Sequence, residues 1–129
     1  MDRRDFFGMS TFLVLGCHLP ELTGLRRGRS MYGLIGKIIA VDGSRDSLAA
    51  VLLEGIAEMP GCLSYVIAED VEDPNALWVT EGWDTEASHQ SSLSLPSVRE
   101  AIQKGRPMIA GFGERYITTP LGGQGLGQS

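Results

Sequence analysis

The order in which apolar segments and turn signals alternate between Tyr32 and Thr119 is what most limits the folds open to this chain. The run YGLIGKIIAV, Tyr32 to Val41, is apolar, rich in β-branched residues and stopped by the turn signal Asp42-Gly43, so it reads as a strand. Ser44 stands where it would cap a helix, with Arg45, Asp46 and Ser47 in the first turn. Leu48, Val51, Leu52, Ile56 and Met59 recur at helical spacing and give that helix one apolar face, and Pro60-Gly61 ends it. Cys62 to Ala68 reads as a second strand, EDVEDPN as an acidic loop, and Ala76 to Trp83 as a third strand. So short a loop makes the second and third strands an antiparallel hairpin. Helical segments near 85–93 and 96–105 follow, broken at Pro96, with an Asp84-Thr85 cap on the first. Val98, Ala101 and Ile102 mark the inner face of the second. Phe112 to Thr119 is a last strand, and the glycine-rich tail from Leu121 has little to pack.

That order is β-α-β-β-α-β, the split ferredoxin-like arrangement of the α+β class: an antiparallel sheet with helices on one face. The first strand is apolar on both of its alternating faces, with Leu34, Ile38 and Ala40 on one side and Ile35, Ile39 and Val41 on the other. Something besides the chain's own helices must therefore cover the sheet. A second copy packed sheet to sheet is the simplest cover, so a homodimer is expected.

With 129 residues the chain suits one domain, and its charge is unevenly spread. Residues 1–30 hold five Lys/Arg against three acids, leaving six against thirteen in the remainder. So acidic a domain has no electrostatic footprint for nucleic acid. Cys17 and Cys62 are too few for a disulfide framework, and two histidines offer no metal-ligand cluster. The first 30 residues are a separate segment: Arg3-Arg4, one spacer, Phe6-Phe7, and an apolar run to Leu15 too short to span a bilayer. It resembles a twin-arginine export signal, which would place the protein in the periplasm or at the surface. VLGC is an imperfect lipidation box ending at Cys17, with Leu15 where a small residue is preferred. The other reading starts translation at Met31 and leaves the protein cytoplasmic. Either way the domain proper is 31–119, followed by the tail 120–129.

The run MPGCLSYVIAEDVEDPNALWVTEGWDTEASHQSSLSLPSV resembles the antibiotic biosynthesis monooxygenase domain, a dimeric α+β barrel family that includes quinol monooxygenases. PGCLSY, DPNALWVTEGW and SLPSV carry the likeness, which extends over about residues 32 to 119. It implies a homodimer and a small aromatic or phenolic substrate oxidised by O2 without metal, flavin or haem. The haem-degrading branch places an Asn on the first strand and a later Trp and haem-ligating His on the helices. Here those places hold Gly36-Lys37 and Gln103, no Trp follows Trp83, and His89 comes too early, so the positions argue against haem degradation.

Oxidising a phenol directly with O2 needs an apolar pocket that excludes water, aromatic side chains to orient the ring, and a base for the phenolic proton. His89 is the candidate base, since imidazole titrates near neutral pH; its alternative is a solvent-facing place among Ser88, Gln90, Ser91 and Ser92. Trp78, Trp83, Tyr65, Phe112 and Tyr116 are candidates to line or stack on the ring, and the Tyr65 hydroxyl could bond a substrate oxygen. Trp78 and Trp83 point to opposite faces of their strand, so one pocket takes at most one of them. Glu81 shares the face of Trp83 and reads most simply as an ion-pair partner at the sheet edge. Arg106 could clamp an anionic oxygen or cap the carbonyls of the preceding helix. The reading that competes with an enzyme is a non-catalytic small-molecule-binding homodimer of the same fold.

Overall fold

A computed structural model of the protein describes residues 30–126; the Arg3-Arg4 pair, Cys17 and the rest of 1–29 lie outside the described residues. The elements run β1 (Tyr32–Ala40), α1 (Arg45–Gly55), β2 (Cys62–Glu69), β3 (Ala76–Trp83), α2 (Glu86–Ser92), α3 (Pro96–Gly105), a 3-10 turn (Arg106–Met108) and β4 (Ile109–Thr118). The four strands form one sheet in the order β2-β3-β1-β4, every neighbouring pair antiparallel. This is the expected α+β ferredoxin-like fold.

Two local expectations differ from what forms. Ser44 makes no side-chain cap bond; its backbone sits at φ −104°, ψ 3°, outside the extended region from which a cap hydroxyl reaches the first turn. Its carbonyl takes the Leu48 N–H instead, at 2.9 Å. The last strand begins at Ile109 rather than Phe112, because Ile109 and Gly111 already pair with Ala40 and Ile39. Glycines at 111 and 113 hide the strand pattern there.

Period-2 alternation puts Tyr32, Leu34, Ile38 and Ala40 of β1 on the helix-covered face with Leu77, Val79 and Trp83 of β3. Two apolar clusters result. Ala40, Leu48 and Leu77 pack with Leu52, Ile67 and Ile109 under α1, and Tyr32, Leu34, Met59 and Trp83 pack with Ile56, Tyr65, Leu95 and Val98. Helices α1 and α3 touch through small residues. A Cβ at Gly55 would lie 2.5 Å from the Ala101 Cβ, so a larger residue at either place would push the helices off the sheet.

None of the described helices lies on the opposite face. It carries Ile35, Lys37 and Ile39 of β1, Trp78 and Thr80 of β3, Val66 and Ala68 of β2, and Tyr116 of β4, with Val66 and Tyr116 more than half exposed. The tail returns across one end of this face. Side chains at Gly33 and Gly82 would meet Pro120 at 3.1 Å and Leu126 at 3.0 Å, so the paired glycines leave the tail a bed.

The acidic loop between β2 and β3 is held by Asp70. Its Oδ1 accepts the Glu72 and Asp73 N–H groups at 2.8 and 2.9 Å, and its Oδ2 accepts the Trp78 indole N–H at 2.8 Å. Arg45 closes the loop from α1, donating to the Asp73 carbonyl at 3.0 Å and pairing with Glu69 at 3.2 Å. The backbone and indole donors hold the Asp70 carboxyl near pKa 2, below its ordinary 3.8. A depressed carboxylate stabilises the fold above its unfolded pKa, and that contribution disappears as pH falls through the folded one. Asp70→Asn should therefore flatten the loss of thermal stability between pH 3.8 and 2. Melting curves at stepped pH measure this, and parallel slopes for both proteins would disprove it.

Candidate active site

His89 is placed by the start of α2. Thr85 is extended, at φ −151° and ψ 163°, and its hydroxyl oxygen accepts the Ser88 N–H at 3.1 Å, so the helix begins where the sequence suggests. The Asp84 N–H donates to the Gly61 carbonyl at 2.9 Å, which ties this corner to the turn before β2. Gly61 has φ +88°, and a Cβ there would lie 2.5 Å from the Ser88 side chain. Only glycine lets α2 settle this closely, and the settling drives His89 inward.

The His89 ring is not at the surface; the residue is 9% exposed. It sits against two aromatic rings. Tyr32 lies tilted with its centroid at 5.4 Å, and Trp83 meets it edge-on, also at 5.4 Å. The Trp83 indole N–H donates to Glu81 Oε1 at 2.8 Å, and the same oxygen lies 3.8 Å from His89 Nε2. Among the described residues His89 Nδ1 has no hydrogen-bond partner.

These groups border a cavity of about 100 Å³ between the sheet and the three helices. Tyr65, Glu81, Trp83 and His89 stand at its polar end, and Leu52, Ile56, Met59 and Val98 form apolar walls. Leu93 and Ile102, 45% and 38% exposed, are the only exposed ones among the described residues of its lining and mark its mouth. Burial shifts the ionisable groups. The Glu81 carboxyl is raised above its ordinary value, because desolvation outweighs the lowering by the Trp83 hydrogen bond, His89 and Arg115. The Tyr65 phenol is pushed well above its ordinary 10 by burial and then by Glu81, so it stays protonated as a donor. The same two causes raise the Cys62 thiol.

Of the candidates named from sequence, His89, Trp83 and Tyr65 come together here. Trp78 does not, because it lies on the uncovered face, bonded to Asp70 and with Lys37 Nζ 5.6 Å from its ring centroid. Phe112 and Tyr116 are 72% and 54% exposed on β4, an edge strand beyond the reach of the helices. Arg106 is exposed in the 3-10 turn beside Arg99 and Gln103, where its backbone N–H donates to the Ile102 carbonyl at the end of α3. Glu81 is interior rather than at the sheet edge, because β3 is a central strand. Tyr32 was not singled out at all. Its pairing with Trp83 across β1 and β3 puts it beside His89, and no local pattern announces that register.

Among the described residues no cluster of His, Cys, Asp and Glu could hold a metal ion, and no helix is long and apolar enough to cross a membrane.

Similarity to known proteins agrees with this architecture. Residues 31–104 match the family model described as antibiotic biosynthesis monooxygenase. A crystal structure from Chloroflexus aurantiacus J-10-fl, provisionally named an antibiotic biosynthesis monooxygenase, is 59% identical, with a TM-score of 0.74 over 76% of this chain and 100% of that one. A provisionally named antibiotic biosynthesis monooxygenase from Bacteroides thetaiotaomicron VPI-5482 is 25% identical, with a TM-score of 0.62 over 72% of this chain and 90% of that one. A Pseudomonas aeruginosa protein shares the fold at 19% identity, with a TM-score of 0.63 over 72% and 96%. Among curated proteins none is significantly similar. The chain belongs to the antibiotic biosynthesis monooxygenase family.

Proposed function

We propose that the protein is a cofactor-independent monooxygenase that oxidises a quinol or related phenol with O2, with His89 as the base. The observation that carries this reading is the unpartnered nitrogen of a buried histidine in an apolar cavity that also holds Trp83 and Tyr65. His89 takes the phenolic proton, and the electron-rich phenolate then transfers an electron to O2. Recombination forms a carbon–peroxide bond, and loss of water leaves a carbonyl. The sum is one quinol and one O2 giving one hydroxyquinone and one water, so no external reductant is needed. Apolar walls exclude water from the phenolate and the peroxide, and the protonated Tyr65 hydroxyl can donate to the developing carbonyl oxygen.

Cavity size sharpens the substrate. About 100 Å³ is less than the roughly 150 Å³ that encloses a benzene ring. One ring fits if Leu93 and Ile102 give way at the mouth; three fused rings do not. Oxygen uptake measured on metal-free protein should therefore be fastest with single-ring hydroquinones, slower with naphthols and slowest with anthrones, consuming one O2 per substrate. No uptake above background with any of them would favour the non-catalytic binding dimer.

The half-exposed apolar residues of the uncovered face support a homodimer, and the Arg3-Arg4 segment supports export by a twin-arginine route.

A further inference from the structure

We propose that Glu81 is the positioning residue of this site: its Oε1, anchored by Trp83, orients the His89 imidazole so that the ring proton sits on Nε2 and the lone pair on Nδ1. The catalytic consequence rests on the monooxygenase reading; the tautomer does not.

The fold does not ask for a glutamate at this place. Residues 77, 79 and 83 share its face of β3 as Leu77, Val79 and Trp83, all 6% exposed or less. An apolar residue at 81 would pack there without desolvating a carboxyl. Trp83 Nε1–H is only a donor, so it fixes Oε1 as an acceptor, and that oxygen is the one facing His89 Nε2. At 3.8 Å the contact is longer than a hydrogen bond, so the carboxylate acts on the ring through its charge. A lone pair on Nε2 would face the lone pairs of that oxygen and be repelled, whereas an N–H there is attracted. The remaining lone pair falls on Nδ1, the nitrogen with no partner among the described residues. An unpartnered buried nitrogen is a cost to packing. It is also the ring nitrogen left with a lone pair to accept a proton.

In the proton step the substrate O–H bond breaks, an N–H bond forms at Nδ1, and the imidazolium keeps Nε2–H towards Glu81. The new positive charge then faces the carboxylate that oriented the ring. Arg115 from β4, Tyr65 and Cys62 from β2 and Tyr32 from β1 are the other charged or titratable groups around the pair. Helices α1 and α3 present Leu52 and Val98 to the cavity, with Ile56 just past the end of α1. Among the described residues Arg115 is a fixed cation acting on Glu81, and it favours the ionised carboxylate against the larger effect of desolvation.

Nitrogen-15 NMR of the full chain labelled at histidine tests this, with His89 told from His18 by comparison with His89→Gln. We expect His89 of the wild type to occupy one tautomer, protonated at Nε2. In Glu81→Leu it should relax to a mixture of both. Glu81→Gln, whose amide oxygen can still accept from Trp83, should retain much of the Nε2–H form but lose the charge. Its kcat should fall about tenfold or more with KM little changed, and the acid limb of its pH–rate profile should move to lower pH. A wild-type ring protonated at Nδ1, or a Glu81→Gln profile that superimposes on the wild type, would overturn the assignment. Should Glu81→Leu fail to fold, the wild-type spectrum and Glu81→Gln still decide. The expected tautomer without oxygen uptake on any phenol would reject the monooxygenase reading and leave the positioning role standing. Uptake with the wrong tautomer would do the reverse.

Discussion

Trp83→Ala is expected to cost about 3–5 kcal/mol of folding stability from lost burial and the cavity left behind. Trp83 is 1% exposed, the largest of the fully enclosed side chains, and it joins the end of β3 to Tyr32, Leu34 and Met59. It also holds Glu81. Without the indole donor the largely enclosed Glu81 carboxyl loses the one hydrogen bond it makes among the described residues, at 2.8 Å, and leaving such a group unsatisfied adds up to about 1–3 kcal/mol. Against a total of about 5–15 kcal/mol for a domain, the sum leaves the protein marginal or unfolded at room temperature. Trp83→Phe separates the two parts, keeping most of the ring volume and losing only the N–H. Urea titration of the three proteins should order them wild type, Trp83→Phe, Trp83→Ala. An alanine variant no less stable than the phenylalanine one would mean that the ring is not the keystone described.

The fold was legible where punctuation and periodicity agreed. β3 formed over Ala76–Trp83 as read, because Pro74-Asn75 and Asp84-Thr85 bound a clear alternation of Leu77, Val79 and Trp83. The Thr85 cap was equally plain, and it fixed how far along α2 His89 stands. What the residues did not announce depends on contacts between distant elements. Phe112 and Tyr116 look like pocket aromatics by type, yet β4 is an edge strand that none of the described helices covers, a matter of sheet order rather than local pattern. Arg106 follows α3 where an anion clamp would be convenient, but the 3-10 turn leaves it exposed. Alternation placed Glu81 on the face of Trp83, but its burial follows from β3 being central, flanked by β1 and β2. The glycine-rich tail found a bed because Gly33 and Gly82 are paired on neighbouring strands, and pairing register is invisible locally.

The second large effect falls on chemistry. Removing a general base that takes a proton in the rate-limiting step lowers the rate by about 10²–10⁴-fold. The other titratable groups among the described residues of the cavity are Tyr65 and Glu81. Tyr65 is held protonated, and the Glu81 oxygen that faces the ring is already engaged by Trp83. His89→Ala also opens space beside Tyr32 and Trp83, so its fold must be checked by circular dichroism and its association state by sedimentation.

The most direct single measurement is oxygen uptake by the purified, metal-free protein with a single-ring hydroquinone, run beside His89→Ala at matched fold and association state. Uptake well above background that drops about 100-fold or more in the variant is the expected result. Uptake that the substitution leaves unchanged would contradict His89 as the base, and no uptake in the wild type would contradict the proposed oxidation itself.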